Sequence, residues 1–156
     1  MKRIVFVCSG NTCRSPLAEG IAKKILLEAN PQQFDISSAG SSALDGLPAS
    51  SQSVDVARDH SIDLTAHQAR LLSKTLVAQA DLIVAMSESH RETVGVIEPQ
   101  ALAHTFLLTD FCDEVDGDIP DPIGMGQEVY GHTYEMIEKC IQEMKSKLNA
   151  FDKWKE

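Results

Sequence analysis

Short apolar runs alternating with longer amphipathic stretches predict an α/β fold, a single-domain doubly wound four-stranded parallel sheet with helices on both faces. Three observations carry that reading. RIVFVC (Arg3 to Cys8) and DLIVAM (Asp81 to Met86) are nearly continuous apolar runs, the pattern of strands buried on both sides. Helical patterns separate the strand candidates, and strands joined through helices close into right-handed βαβ units. The 156 residues are close to the commonest size for one domain, and residues 1–156 contain no internal repeat, low-complexity tract or linker.

In chain order, strand Arg3 to Cys8 leads through a short polar loop into a helix over Pro16 to Glu28, with Ser15 as N-cap and Pro16 at the first helical position. FDISSAG (Phe34 to Gly40) is the second strand. Helices follow over Ala49 to His60 and Ser73 to Ala80. Asp81 to Met86 is the third strand, Glu88 to Ile97 a helix, HTFLLTD (His104 to Asp110) the fourth strand, and Gln127 to Lys147 the last helix. The irregular stretch Cys112 to Gly126 carries five acids, Asp113, Glu114, Asp116, Asp118 and Asp121. Ligands of open parallel sheets bind outside the carboxyl ends of the strands, so this stretch and the Cys8 to Ser15 loop are expected to open at one end.

Composition narrows the function. A net charge of -9 argues against a general nucleic-acid binder, because phosphate-backbone affinity rests on clustered Lys and Arg. No stretch approaches the ~20 apolar residues of a membrane span. Met1-Lys2-Arg3 and the few apolar residues after it are too short for a secretory signal, which predicts a cytoplasmic protein. The four cysteines, Cys8, Cys13, Cys112 and Cys140, form no C-x2-C pair and no paired spacing with His, so no metal site is expected and they should rest as thiols.

The loop CSGNTCRSP (Cys8 to Pro16) has the makings of an anion cradle. Gly10 permits close backbone approach, and Asn11 tolerates the left-handed region, so successive N–H groups can turn inward as a nest. The following helix points its positive end at the same spot. Arg14 adds a planar fork that holds two oxygens of a tetrahedral anion. Cys8 stands beside both, and both favour a thiolate, which under a bound phosphate is a nucleophile for phosphoryl transfer. Ser15 has a hydroxyl able to stabilise that thiolate. A strand-end cysteine alone is usually core; strand, C-x5-R, Gly-Asn and Ser-Pro together specify a phosphate-binding loop. Phosphoryl transfer also needs a proton for the leaving group. Pro120 and Pro122 restrict the backbone on both sides of Asp121 and so aim its carboxyl, although such aspartates also occur in plain turns. The other four acids lack that restraint and read as solvated surface.

These residues make the chain similar to the low-molecular-weight protein tyrosine phosphatase family. The family's V-C-x-G-N-x-C-R-S-P motif stands at Val7 to Pro16 and its D-P acid motif at Asp121-Pro122. Ser38-Ala39-Gly40, the H-x-A-R segment His67-Gln68-Ala69-Arg70 and the third-strand D-L-I-V-A-M also fit. The resemblance implies catalysis by Cys8, Arg14 and Asp121, with Cys8 forming a phosphocysteine and Asp121 first an acid, then a base. It implies a substrate site of Ser9, Gly10, Asn11, Thr12, Cys13, Ser15, Leu44 and Ile123, with His67 and Ser15 bracing the loop. It implies a phosphorylated protein or peptide as substrate and no metal or other cofactor. Cys13 would form a reversible disulfide with Cys8 under oxidation.

Two departures bear on the substrate. Ile123 and Leu44 stand where phosphotyrosine-specific members usually carry aromatics, which weakens stacking on a phenyl ring. Thr12 replaces a bulkier aliphatic and Ser87 an acid, as in the bacterial branch that acts on phosphoarginine. The expected activity is hydrolysis of phosphotyrosine-type phosphomonoesters, with protein arginine phosphatase as the alternative. Arsenate reductases on this fold relay a disulfide through two more cysteines, but Cys112 and Cys140 are 28 residues apart and Asp121 would go unexplained. A non-catalytic phosphate-binding module would not need Cys8. His104 and His132 read as ordinary core or surface histidines. Tyr130 and Tyr134 are candidates for phosphorylation or, more simply, packing, and Trp154 for packing of the tail.

Overall fold

Seven consecutive residues, Lys2–Cys8, form β1, and every one from Ile4 to Cys8 is buried. The computed structural model describes residues 1–148. Around β1 lie α1 (Arg14–Leu26), β2 (Phe34–Gly40), α2 (Ser51–Asp59), α3 (Lys74–Gln79), β3 (Leu82–Ala85), α4 (Glu88–Ile97), β4 (Thr105–Leu107) and α5 (Gln127–Leu148). All sheet pairs are parallel, in the order β2-β1-β3-β4. The winding direction reverses between β1 and β3, and the end of β1 faces that switch point.

The period of two along β1 sorts the core. Ile4, Phe6 and Cys8 face one side with Leu17 and Ile21 of α1, Val56 of α2, and Ile137 and Ile141 of α5. Val5 and Val7 face the other side with Ala39, Ile83, Val77 of α3 and Val94 of α4. Helices thus cover both faces, and truncating a fully buried side chain such as Phe6 to Ala costs about 3–5 kcal/mol.

Two expectations need correction. The fourth strand is only three residues long, because Asp110 Oδ2 accepts the Leu107 N–H at 2.8 Å and turns the chain into a 3-10 segment, Leu108–Phe111. His104 ends another 3-10 segment, Pro99–His104. The first helix begins at Arg14, so Ser15 and Pro16 lie inside its first turn and Ser15 is not its N-cap. Its hydroxyl lies 2.8 Å from Cys8 Sγ.

Candidate active site

Asn11 organises the loop between β1 and α1. It is fully buried with φ 55°, a conformation Asn tolerates and most residues do not. Its Oδ1 accepts the Arg70 N–H at 3.0 Å, which fixes the orientation of the amide. Nδ2 therefore donates to Ser15 Oγ at 2.8 Å and to Ser38 Oγ at 2.9 Å. Ser38 passes its own proton to Glu19 Oε1 at 2.7 Å. Ser15 Oγ, which accepts from Asn11, lies 2.8 Å from Cys8 Sγ, within reach to donate its proton to a thiolate there. That is the arrangement a thiolate accepts.

The backbone is braced as well. His67 Nε2 donates to Asn11 O at 2.7 Å. Gly40, opposite Cys8 in the β1–β2 register, lets the loop come close: a Cβ there would collide with Ser9 O and lie 2.9 Å from Asn11 N. Ser41 and Ser42 donate their N–H groups to Cys8 O and Ser9 O at 2.9 and 3.0 Å.

Arg14 is 5% exposed, and its Nη1 donates to Ile119 O at 2.9 Å. Nη2 lies 3.6 Å from Asp121 Oδ2, and the buried Nε has no acceptor among the described residues. The Nε–Nη2 edge is thus the one turned to receive two oxygens of a tetrahedral anion. Cys13, just before α1, supplies no side-chain cap, so the first N–H groups of α1 are left for the same anion.

The acid loop is stitched to the sheet immediately before Asp121. Ile119 N donates to Met86 O at 2.8 Å, at the end of β3. Asp118, expected to be a solvated surface acid, is exposed but accepts the Glu88 N–H at 2.9 Å and so caps α4. Asp121 Oδ1 accepts the Ile123 N–H at 3.1 Å, a local turn that fixes the carboxyl, and Pro122 is buried beside it. Asp113 pairs with Lys147 at 3.1 Å, Glu114 pairs with Lys139, and Asp116 is exposed.

Leu44 and Ile123 stand 69% and 65% exposed on the segments that flank the loop. Gly10 and Thr12 are half-buried, and Thr12 Oγ1 lies 3.7 Å from Cys13 Sγ. The buried Cys13 thiol also meets Ser50 Oγ at 3.6 Å and Tyr130 OH at 3.4 Å. Burial, then the bond to Cys13, pushes the Tyr130 hydroxyl up to about 12. Tyr134 is buried and stacked on His60 with ring centroids 3.8 Å apart, so both tyrosines are core residues. His104 is half-buried and His132 exposed, and Trp154 lies outside the described residues.

Cys112 and Cys140 are neighbours despite their separation in sequence. Burial, and then the hydrogen bond with Cys112, raises the Cys140 thiol to about 12, which keeps it protonated and unsuited to a thiolate relay. Sequence spacing also passed over His90, which is buried in the first turn of α4 with Nε2 2.8 Å from Ser9 Oγ. Its only signal was a histidine three residues after Ser87, at the start of a helix that follows a strand end.

Comparison with known proteins bears on this geometry. The family profile for low molecular weight phosphotyrosine protein phosphatase matches residues 3–153. The chain is 34% identical over 146 residues to the low molecular weight protein-tyrosine-phosphatase Etp of Escherichia coli, covering 94% of each. Among solved structures, the YwlE arginine phosphatase from Geobacillus stearothermophilus superposes with a TM-score of 0.87 at 33% identity, over 96% of this chain and 94% of that one. A YwlE arginine phosphatase mutant with a phosphorylated active-site serine superposes with a TM-score of 0.89 at 28% identity, over 97% and 99%. With a family match over nearly its whole length, the chain belongs to the low molecular weight phosphotyrosine protein phosphatase family.

Proposed function

We propose that this chain is a metal-independent protein phosphatase, one domain over residues 1–156, that hydrolyses phosphotyrosine-type phosphomonoesters through a phosphocysteine. The observation that carries the reading is the contact of Ser15 Oγ with Cys8 Sγ at 2.8 Å, with Asn11 donating to Ser15. Cys8 attacks phosphorus, the S–P bond forms as the bond to the leaving oxygen breaks, and Asp121 delivers the proton that oxygen needs. The Arg14 edge and the loop amides hold the equatorial oxygens. Asp121, now a carboxylate, takes a proton from water as that water attacks phosphorus and releases Cys8 and inorganic phosphate. The phosphorylated serine in the structure of the YwlE mutant supports a phosphoryl group carried at the nucleophile's position.

The substrate is a phosphorylated protein or peptide, and the place of action is the cytoplasm. Among the described residues no helix is long and apolar enough to cross a membrane. Phosphoarginine is the second reading. It is favoured by Thr12 within the loop, by aliphatic Leu44 and Ile123 at its rim, and by the likeness to an arginine phosphatase. The test compares kcat/KM on phosphotyrosine and phosphoarginine peptides, without metal, for wild type, Thr12→Ile and Cys8→Ser. Preference for phosphotyrosine in the wild type supports the first reading; preference for phosphoarginine that collapses in Thr12→Ile establishes the second. Turnover retained by Cys8→Ser would remove Cys8 as nucleophile.

A further inference from the structure

His90 is 2% exposed, and both of its ring nitrogens are engaged, Nε2 with Ser9 Oγ at 2.8 Å and Nδ1 with Ser87 Oγ at 2.9 Å. Ser87 Oγ continues to Ser89 Oγ at 2.9 Å. Ser87 is the N-cap residue of α4, yet its hydroxyl makes no cap bond. The first N–H of the helix, that of Glu88, goes instead to Asp118 Oδ1 from the acid loop. Next to Asp118, Ile119 binds Met86 O through its N–H and Arg14 Nη1 through its carbonyl. One turn of helix therefore holds Ser9 of the cysteine loop on one side and the approach to Asp121 on the other.

A neutral imidazole, with one N–H and one lone pair, matches a pair of hydroxyls that each donate or accept. Burial, and then the nearby Arg14 guanidinium, lower the His90 pKa to about 4 against the opposing pull of Asp118 and Asp121. Near pH 7 the ring stays neutral and serves as a spacer of fixed length rather than as a proton donor.

We propose that His90 is a positioning residue whose bonds to Ser9 and Ser87 hold the cysteine loop and the acid loop in register through the first turn of α4. Misplacing Asp121 hurts esters with poor leaving groups most, because activated esters need little protonation. The assignment rests on the phosphatase reading. A wild type inactive on every ester fails that reading, whereas an active wild type with indifferent His90 variants fails this assignment alone.

The experiment measures kcat/KM on phenyl phosphate and 2,4-dinitrophenyl phosphate for wild type, His90→Ala, His90→Gln, Asp118→Ala and the Ala/Ala double variant. His90→Ala is expected to lose about tenfold or more on phenyl phosphate and less than about threefold on the dinitrophenyl ester. His90→Gln, which supplies a donor and an acceptor, is expected to recover most of that loss. The double variant is expected to be little worse than the poorer single variant, since both act through one turn. Equal losses on the two esters, a Gln variant as impaired as Ala, or a fully multiplicative double variant would overturn the assignment. If His90→Ala does not fold, His90→Phe fills the space without ring nitrogens and the same outcomes decide.

Discussion

Asn11 Oδ1 accepts the Arg70 backbone N–H at 3.0 Å, and this one bond orients the amide that stands behind the cysteine. With the amide so oriented, Nδ2 donates to Ser15 and Ser38, and Ser15 Oγ is held 2.8 Å from Cys8 Sγ, where its hydroxyl can donate to a Cys8 thiolate. Conformation and bonding can be separated at this position. Asn11→Gly keeps φ 55° accessible but removes the amide, and is predicted to lower kcat/KM by about 10- to 100-fold and stability by about 1–3 kcal/mol. Asn11→Ala is predicted to lose about 1 kcal/mol more, the strain of a left-handed alanine. Urea titration and steady-state rates check both; a Gly variant with wild-type kcat/KM would show that the directed network does not activate Cys8.

The placement of Asp121, 3.6 Å from Arg14 Nη2, predicts a dependence on the leaving group. Asp121→Ala should reduce kcat/KM by about 10²- to 10⁴-fold on phenyl phosphate and far less on 2,4-dinitrophenyl phosphate. Asp121→Asn should behave alike, since an amide can keep the bond from the Ile123 N–H but cannot give up a proton to an oxyanion. An equal loss on both esters would mean that Asp121 shapes the loop instead.

His90 also predicts how stability varies with pH. Its folded pKa is lowered to about 4 from the ordinary 6.5, so between those values the unfolded chain binds a proton that the folded chain excludes. The contribution to stability is full above about pH 6.5, declines as pH falls through that window, and levels off below about pH 4. Arg14, Asp118 and Asp121 face the ring and set its environment. His90→Gln, which does not titrate, should therefore show a smaller fall in Tm between about pH 7 and pH 4.5 than the wild type. Parallel Tm curves would show that His90 is not the group responsible.

The fold was largely legible because its signals are local. Apolar runs marked β1 and β3, and Ser15-Pro16 marked the start of α1 to within two residues. The cysteine loop was legible for the same reason, being one contiguous segment. The rest depends on contacts between residues far apart in the chain. Nothing in their spacing joins Ser9 to His90 or Asp118 to Glu88, which meet because β1 and β3 are adjacent and the acid loop returns over the end of β3. Cys112 and Cys140 show the same thing, as partners 28 residues apart brought together where α5 packs on the 3-10 segment Leu108–Phe111. The shift of the helix start to Arg14 was local, and the Ser15 hydroxyl meets Cys8 rather than capping the helix.

The surroundings of Cys13 predict how the site responds to oxidation. Ser53 Oγ donates to Cys13 O at 3.4 Å and Ser50 Oγ donates to Ser53 Oγ at 3.0 Å, so the Cys13 thiol gives its proton to Ser50 Oγ. Tyr130, protonated throughout the working range, is then free to donate to Cys13 Sγ. Tyr130 is predicted to hold the Cys13 sulfur in place through this contact as it reacts. Peroxide converts the Cys8 thiolate to a sulfenic acid and is itself reduced to water; the Cys13 sulfur then attacks the Cys8 sulfur, a second water leaves, and a disulfide results. A dithiol reductant restores both thiols. Wild type treated with mild peroxide should regain most activity on reduction, whereas Cys13→Ser should lose it irreversibly as Cys8 proceeds to the sulfinic acid. Tyr130→Phe should keep its turnover but recover less than the wild type. Full recovery by Cys13→Ser would remove Cys13 as the protecting thiol, and full recovery by Tyr130→Phe would remove only the role of its hydroxyl.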